Sequence, residues 1–356
     1  MRRSLLVVVA AALLVLAPAC GDDSAPTRVK GAVADRSCTT MSVEEQVAQL
    51  LVVLVPTPRA GLEVVRSGLV GGIALVGNQE ATVVGEIDQL NDENPSELDL
   101  IVASDEEGGT VQRMRKVLGP IPSAAETAAT LDPTAAGAAA EGYARRLAEL
   151  GVTMSFGPVL DVGGGEVMGS RVFSSDPNVV SSYGTAVMEG IRRAGLTPVV
   201  KHWPGLGSGT LDTHDHLAVL DPPEVLATRD LVPFRAAFAA GAPAVMVSHG
   251  VVPGWSETPV SRSVEAITGE LRGTEGFDGL VVTDALGMGA VGLPEPEAAE
   301  AAIAAGADIA LLSEPAMVAD THARLVEAVS SERLSPERVR EAVGHVLEIK
   351  GARPCP

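Results

Sequence analysis

The sequence is short of aromatic residues, of basic charge and of cysteine, and it has no apolar run long enough to span a membrane comfortably. Aromatics make up 3% of the 356 residues, so the two tryptophans, Trp203 and Trp255, serve packing as readily as ligand stacking. Lysine and arginine number 26 against 46 aspartates and glutamates, a formal net charge of -20. Nucleic acid and anionic membrane surfaces repel such a chain, which argues against both as partners. The Gly-rich turns do not match a dinucleotide fingerprint, and no internal repeat larger than a strand-helix unit is visible. Beyond the first forty residues nothing has the composition of disorder. With 46% hydrophobic residues the chain can bury one large core.

The apolar run from Leu5 to Leu16 follows Arg2 and Arg3 and leads into Ala17, Pro18, Ala19 and Cys20. Charged, then apolar, then small is the order of an export signal, and the run is shorter than a membrane-spanning helix needs. The cysteine at its end resembles the lipobox of bacterial lipoproteins, which implies cleavage before Cys20 and lipidation of its thiol. An ordinary secretory signal with an incidental cysteine is the alternative. Residues 1–19 are thus expected to be a signal peptide, residues 20–40 the lipidated cysteine and a small, polar tether, and residues 41–356 the folded domain. A lipid anchor would hold that domain at the outer face of the cell membrane. Export would also place the remaining cysteines, Cys38 and Cys355, in an oxidising compartment. There they are expected to pair and tie the chain ends together; two free thiols are the alternative.

From Ser42 onward, short apolar runs alternate with longer Ala-rich amphipathic segments. Ser42 and Glu45 form a capping-box signature ahead of the first helix. The candidate strands are residues 50–55, 71–77, 98–104, 153–159, 197–202, 244–249, 279–284 and 308–313. They lack polar alternation, as strands buried on both faces do, and strands alternating with helices make a parallel sheet. Eight such units predict a single (β/α)8 barrel of the TIM type, with an open doubly wound sheet as the alternative. Asp105, Arg171, Lys201, His202, His249 and Asp284 all fall at or after strand ends. In a barrel those ends share the face on which active sites are built.

Two stretches concentrate the chemistry. Lys201 to His216, KHWPGLGSGTLDTHDH, gathers a lysine, three histidines and two aspartates in a Gly-rich segment. The other, FDGLVVTDALGM, is an apolar run that stops abruptly at Asp284. A carboxylate at the mouth of a buried strand and an Asp-x-His pair on a loop are components of nucleophilic and acid/base catalysis.

The motifs DEEGGTVQRM, SFGPVLDV, GSRVFSSDP, KHWPGLG, DTH and FDGLVVTDALGM, in this order and spacing, resemble glycoside hydrolase family 3, in particular its single-domain bacterial β-N-acetylglucosaminidases. The resemblance implies that Asp284 is the nucleophile that forms a glycosyl-enzyme and that His214, oriented by Asp212, is the acid/base. It also implies that Asp105, Arg113, Arg171, Lys201 and His202 hold the sugar hydroxyls and the N-acetyl group. The physical reading agrees, because retention needs a nucleophile and a proton donor of opposite protonation state at one pH, and an imidazole beside a carboxylate changes role near neutrality. Three positions depart from the family pattern: Leu206 for a common His, Ala285 for a common acid and Glu106 for a frequent Gln. The chain has the Asp-x-His loop and ends about forty residues after the eighth strand, where larger members carry a second domain.

Other polar residues have plainer readings. Glu106 and Glu107 are expected to shape the turn beside Asp105, His249 to be a satisfied core histidine, and His322 and His345 to lie on the surface; His216 is left without a role. The expectation is a retaining, exo-acting β-N-acetylglucosaminidase, a monomer without metal or other cofactor, acting on peptidoglycan fragments. Three rivals remain: a phosphorylase or broader β-glycosidase of the same family, a metal-dependent amidohydrolase built on His214, His216, Lys201 and Asp284, and a non-catalytic glycan-binding lipoprotein.

Overall fold

All eight apolar runs form strands, and all eight pair in parallel. The computed structural model describes residues 40–163, 168–207 and 217–352. The barrel strands are β1 (Leu51–Val55), β2 (Gly72–Leu75), β3 (Ile101–Ser104), β6 (Met154–Val159), β7 (Thr197–Trp203), β8 (Ala244–Val247), β9 (Leu280–Thr283) and β10 (Ala310–Leu312), in the spatial order β10-β1-β2-β3-β6-β7-β8-β9. Between β3 and β6 a hairpin, β4 (Glu106–Gly108) with β5 (Val111–Gln112), stands outside the barrel sheet. Its strands are too short and too polar for hydrophobic periodicity to reveal, and the sequence reading had only a turn there.

Several helices begin or end at a recognisable cap. At Val43–Gln49 the capping box forms: the Ser42 hydroxyl accepts from the Glu45 amide at 3.2 Å, and the Ser42 amide donates to the Glu45 carboxylate at 2.8 Å. The helix Pro133–Glu149 starts behind Asp132, whose carboxylate caps the Ala135 amide at 2.9 Å. Helix Glu295–Ala305 stops at Gly306, whose φ of 114° suits a residue without Cβ.

The barrel closes between β9 and β10, where backbone and side chains share the seam. One isolated parallel bridge, Val282 to Ile309, joins the two strands, with backbone bonds from the Thr283 amide to the Ile309 carbonyl at 3.0 Å and from the Asp308 and Ile309 amides to the Val281 carbonyl at 2.8 and 3.1 Å. The Asp308 carboxylate accepts from the Val281 amide at 2.8 Å, and the Thr283 hydroxyl accepts from the Leu311 amide at 3.0 Å. Asp308 has no exposure. Arg272 lies 2.7 Å from it, Arg338 also pairs with it, and the His345 ring is 3.0 Å away. His345 is therefore part of a buried charge cluster and not the surface residue expected. His322 departs from expectation in the same way: it is 7% exposed and its Nε2 donates to the Glu44 carbonyl at 2.9 Å. Helix periodicity alone did not show which face these two histidines occupy.

Burial would raise the Asp308 pKa, but His345, Arg272 and Arg338 hold it below the ordinary carboxylate value. A carboxylate whose folded pKa lies below its unfolded one stabilises the fold above the unfolded value, about 3.9, and loses that contribution as pH falls through the folded value. Asp308→Asn should therefore cost about 3 to 5 kcal/mol at pH 7, because it leaves buried cations unmatched. The gap in thermal midpoint between variant and wild type should narrow as pH drops below about 4. A gap that stays constant from pH 7 to pH 3 would contradict this account of the seam.

Candidate active site

At the carboxyl ends of the strands lies a cavity of about 450 Å3 whose wall includes Asp105, Glu107, Arg113, Arg171, Lys201, His202 and Asp284. That size is within the range of small-molecule sites. The six sequence-expected residues among the described ones are thus together, although they come from β3, its hairpin, the segment after β6, the end of β7 and the end of β9. Asp212 and His214, expected as the acid/base pair, lie outside the described residues, as do Cys20, Cys38, Cys355 and the tether. Among the described residues no group of three or more His, Cys, Asp or Glu is placed to hold a metal ion.

An alternating chain of charges lines one side. Arg113 donates to Asp105 at 3.2 Å, Asp105 takes Lys201 Nζ at 2.5 Å, Lys201 also reaches Glu107 at 2.7 Å, and Glu107 accepts two bonds from Arg171 at 2.7 and 2.8 Å. The Lys201 and Glu107 side chains are 4% and 2% exposed. Burial works against the lysine's charge, but Asp105 and Glu107 more than offset it and leave its pKa raised. Burial likewise opposes ionisation of Glu107, and Lys201 and Arg171 overcome it, so this carboxyl titrates well below the usual range. Glu107 is thus the shared counter-ion of two site cations, a larger role than shaping a turn. Its adjacency to Asp105 was the only signal in the sequence.

Glu106 points the other way, into the protein. Its carboxylate accepts from the Ser104 and Tyr143 hydroxyls, each at 2.7 Å, and from the Met114 amide at 3.0 Å. These bonds root the hairpin that carries Asp105, Glu107 and Arg113. Burial is the largest influence on Glu106 and raises its pKa.

Lys201 and His202 both face the cavity although they are consecutive, whereas a regular strand would send them to opposite sides. The strand is irregular here: the Lys201–His202 peptide bond is cis, and the register of β7 against β8 shifts between Val200 and Trp203. His202 Nδ1 lies 2.7 Å from the carboxylate of Asp161, a residue with no exposure. Sequence reasoning missed Asp161: it stands inside the SFGPVLDV motif, but nothing local says that it meets a histidine 41 residues on. Trp203 is fully buried and stacks on Trp255 with ring centres 5.3 Å apart, so both tryptophans pack.

Asp284 follows β9, its amide bonded to the Val247 carbonyl at 2.9 Å. One carboxylate oxygen accepts from the Ala285 amide at 2.8 Å. Burial would raise its pKa, yet His202, His249, the Ala285 amide and Lys201 together hold it below the ordinary value. His249 is the satisfied core histidine expected: Nε2 donates to the Ala285 carbonyl at 3.0 Å, and Nδ1 lies 2.8 Å from the Ser261 hydroxyl. Leu206 and Ala285, two departures from the family pattern, both border the cavity.

The site thus joins an ionised carboxylate to a wall of fixed donors and acceptors, which suits a neutral, many-hydroxyl substrate attacked by a carboxylate nucleophile. The comparisons with known proteins agree. A β-hexosaminidase of Mycobacterium tuberculosis, LpqI, is 34% identical in an alignment covering 99% of this chain and 98% of that protein. A β-hexosaminidase of Xylella fastidiosa is 41% identical over 62% of this chain and 69% of its own length. The crystal structure of a family 3 glycosyl hydrolase from Mycobacterium smegmatis superposes with a TM-score of 0.84 at 35% identity, covering 88% of this chain and 98% of the other. Residues 42–349 match the glycosyl hydrolase family 3 N-terminal domain, and the chain belongs to that family of glycoside hydrolases.

Proposed function

We propose that the protein is a retaining, exo-acting β-N-acetylglucosaminidase that removes terminal β-linked N-acetylglucosamine by way of a glycosyl-Asp284 intermediate. One observation carries the reading: a carboxylate kept ionised at the end of β9 shares a cavity with the chain of paired charges from Arg113 to Arg171. Asp284 attacks the anomeric carbon, and the paired charges orient the sugar ring by its hydroxyl and acetamido groups. His214, oriented by Asp212, gives a proton to the leaving oxygen and then takes one from the water that releases the sugar. The β-hexosaminidase names of the relatives in Mycobacterium tuberculosis and Xylella fastidiosa support the substrate. The N-terminal export pattern and Cys20 support a lipid-anchored protein outside the cell membrane. That placement favours peptidoglycan fragments, in which N-acetylglucosamine is linked to N-acetylmuramic acid, and the protein is read as acting as a monomer.

Purified in detergent, the full chain should release p-nitrophenol from its β-N-acetylglucosaminide and not from its β-glucoside, with free sugar as product whether or not phosphate is present. Asp284→Ala should lose about ten-thousandfold or more in kcat, and His214→Ala about a hundredfold to ten-thousandfold. Turnover indifferent to Asp284 would overturn the mechanism, and a sugar phosphate formed only with phosphate present would make the protein a phosphorylase. Glu107→Gln leaves Lys201 and Arg171 short of a counter-charge. It should lower kcat/KM at least about tenfold and cost about 3 kcal/mol of stability, both readable from steady-state kinetics and thermal melts. Cys20→Ser should move the protein from the membrane to the soluble fraction of its native cell; unchanged fractionation would refute the anchor.

A further inference from the structure

Asp161 follows the end of β6, behind the cavity wall, and all of its described hydrogen-bond partners belong to one short stretch. Its Oδ2 lies 2.7 Å from His202 Nδ1. Its Oδ1 accepts from the Leu206 amide at 2.6 Å and, at the longer distance of 3.4 Å, from the His202 amide. An ionised carboxylate offers lone pairs and no proton, so Nδ1 must be the donor in its contact with Oδ2. A neutral imidazole carries a single N–H. Nε2, toward the other edge of the ring, is then an acceptor, and the ring borders the cavity together with Asp284.

The polarity of that nitrogen matters. Lys201, Arg113 and Arg171 are donors and the carboxylates of Asp105, Glu107 and Asp284 are acceptors on this wall, so a bare Nε2 at His202 adds an uncharged acceptor for a hydroxyl group. The same carboxylate fixes the backbone of Leu206, whose side chain also borders the cavity. The two loops are in close contact here: a Cβ at Gly207 would collide with the Val162 carbonyl oxygen, and one at Gly163 would lie 2.8 Å from the Gly207 carbonyl oxygen.

We infer that Asp161 is a positioning residue: it holds His202 as the Nδ1–H tautomer with Nε2 turned to the cavity as an acceptor for a substrate hydroxyl, and it fastens the turn that carries Leu206. The inference rests on reading the cavity as the sugar site. Asparagine has nearly the same shape but one acceptor oxygen and an NH2 group. Opposite the Leu206 amide and Nδ1–H it has one lone-pair centre for two donors, and the mismatch is relieved when its NH2 donates to Nδ1 and the ring proton moves to Nε2. The ring would then present a donor where the wild type presents an acceptor.

The experiment is nitrogen NMR of the full chain in detergent, with 15N-labelled histidine, at pH 8, the His202 signals assigned by their absence in His202→Gln. The wild type should show Nδ1 protonated and Nε2 bare, and Asp161→Asn should show the reverse. Its kcat/KM for the β-N-acetylglucosaminide should fall about a hundredfold, the lower end of what removing an oriented polar group costs at a charged transition state, with the thermal transition retained. A wild-type ring that carries a proton on Nε2 overturns the inference, whether or not Asp161→Asn folds. An Asp161→Asn protein with unchanged kcat/KM overturns the positioning role. An inactive wild type with the expected tautomer would sink the glycosidase reading alone and leave the Asp161–His202 assignment standing.

Discussion

The site depends on one buried lysine. Lys201 carries its charge almost without contact with water, which costs several kcal/mol unless carboxylates stand close by. Asp105 and Glu107 supply them from the far end of β3 and the start of its hairpin, and Arg113 and Arg171 in turn balance those acids. Each charge is thus held by a neighbour of opposite sign, and Lys201 and Arg171 join the hairpin to other parts of the chain. The geometry is over-determined, as a site that must orient a flexible sugar requires. The arrangement also explains why so acidic a protein keeps three cations around one cavity: each is paired there.

Asp284 is positioned by different means. Its strand, β9, is bound to β8 by a regular ladder and to β10 by a shorter run of backbone bonds supplemented by side chains. Asp308 at one end of that seam and Thr283 beside Asp284 add side-chain bonds where backbone pairing is sparse. The charged wall and Asp284 are therefore held by separate frameworks, one of charge pairs and one of seam hydrogen bonds, which meet in the cavity.

Much of this was legible in the sequence. All eight strands were, because burial on both faces leaves unbroken apolar runs, and so was the first helix, because a capping box is a local signal. The residues that line the cavity were legible too, since strand ends and family motifs mark them one by one. What could not be read were partnerships between distant segments. Glu107 looked like a turn residue until Lys201 and Arg171 appeared beside it. Asp161 had no visible purpose without His202, and His345 seemed exposed until Asp308 was found beneath it. The irregular end of β7, which brings Lys201 and His202 to the same cavity, is likewise something that no single-strand pattern encodes.

The close approach of Gly207 to Val162 has a consequence for substitution at this junction. With no room for even a methyl group there, and with the Leu206 amide tied to Asp161, a side chain at Gly207 would have to part the segments that follow β6 and β7. Asp161, His202 and Leu206 would then shift together, so that a change at a residue without a side chain would reach the cavity wall as surely as a change in the wall itself.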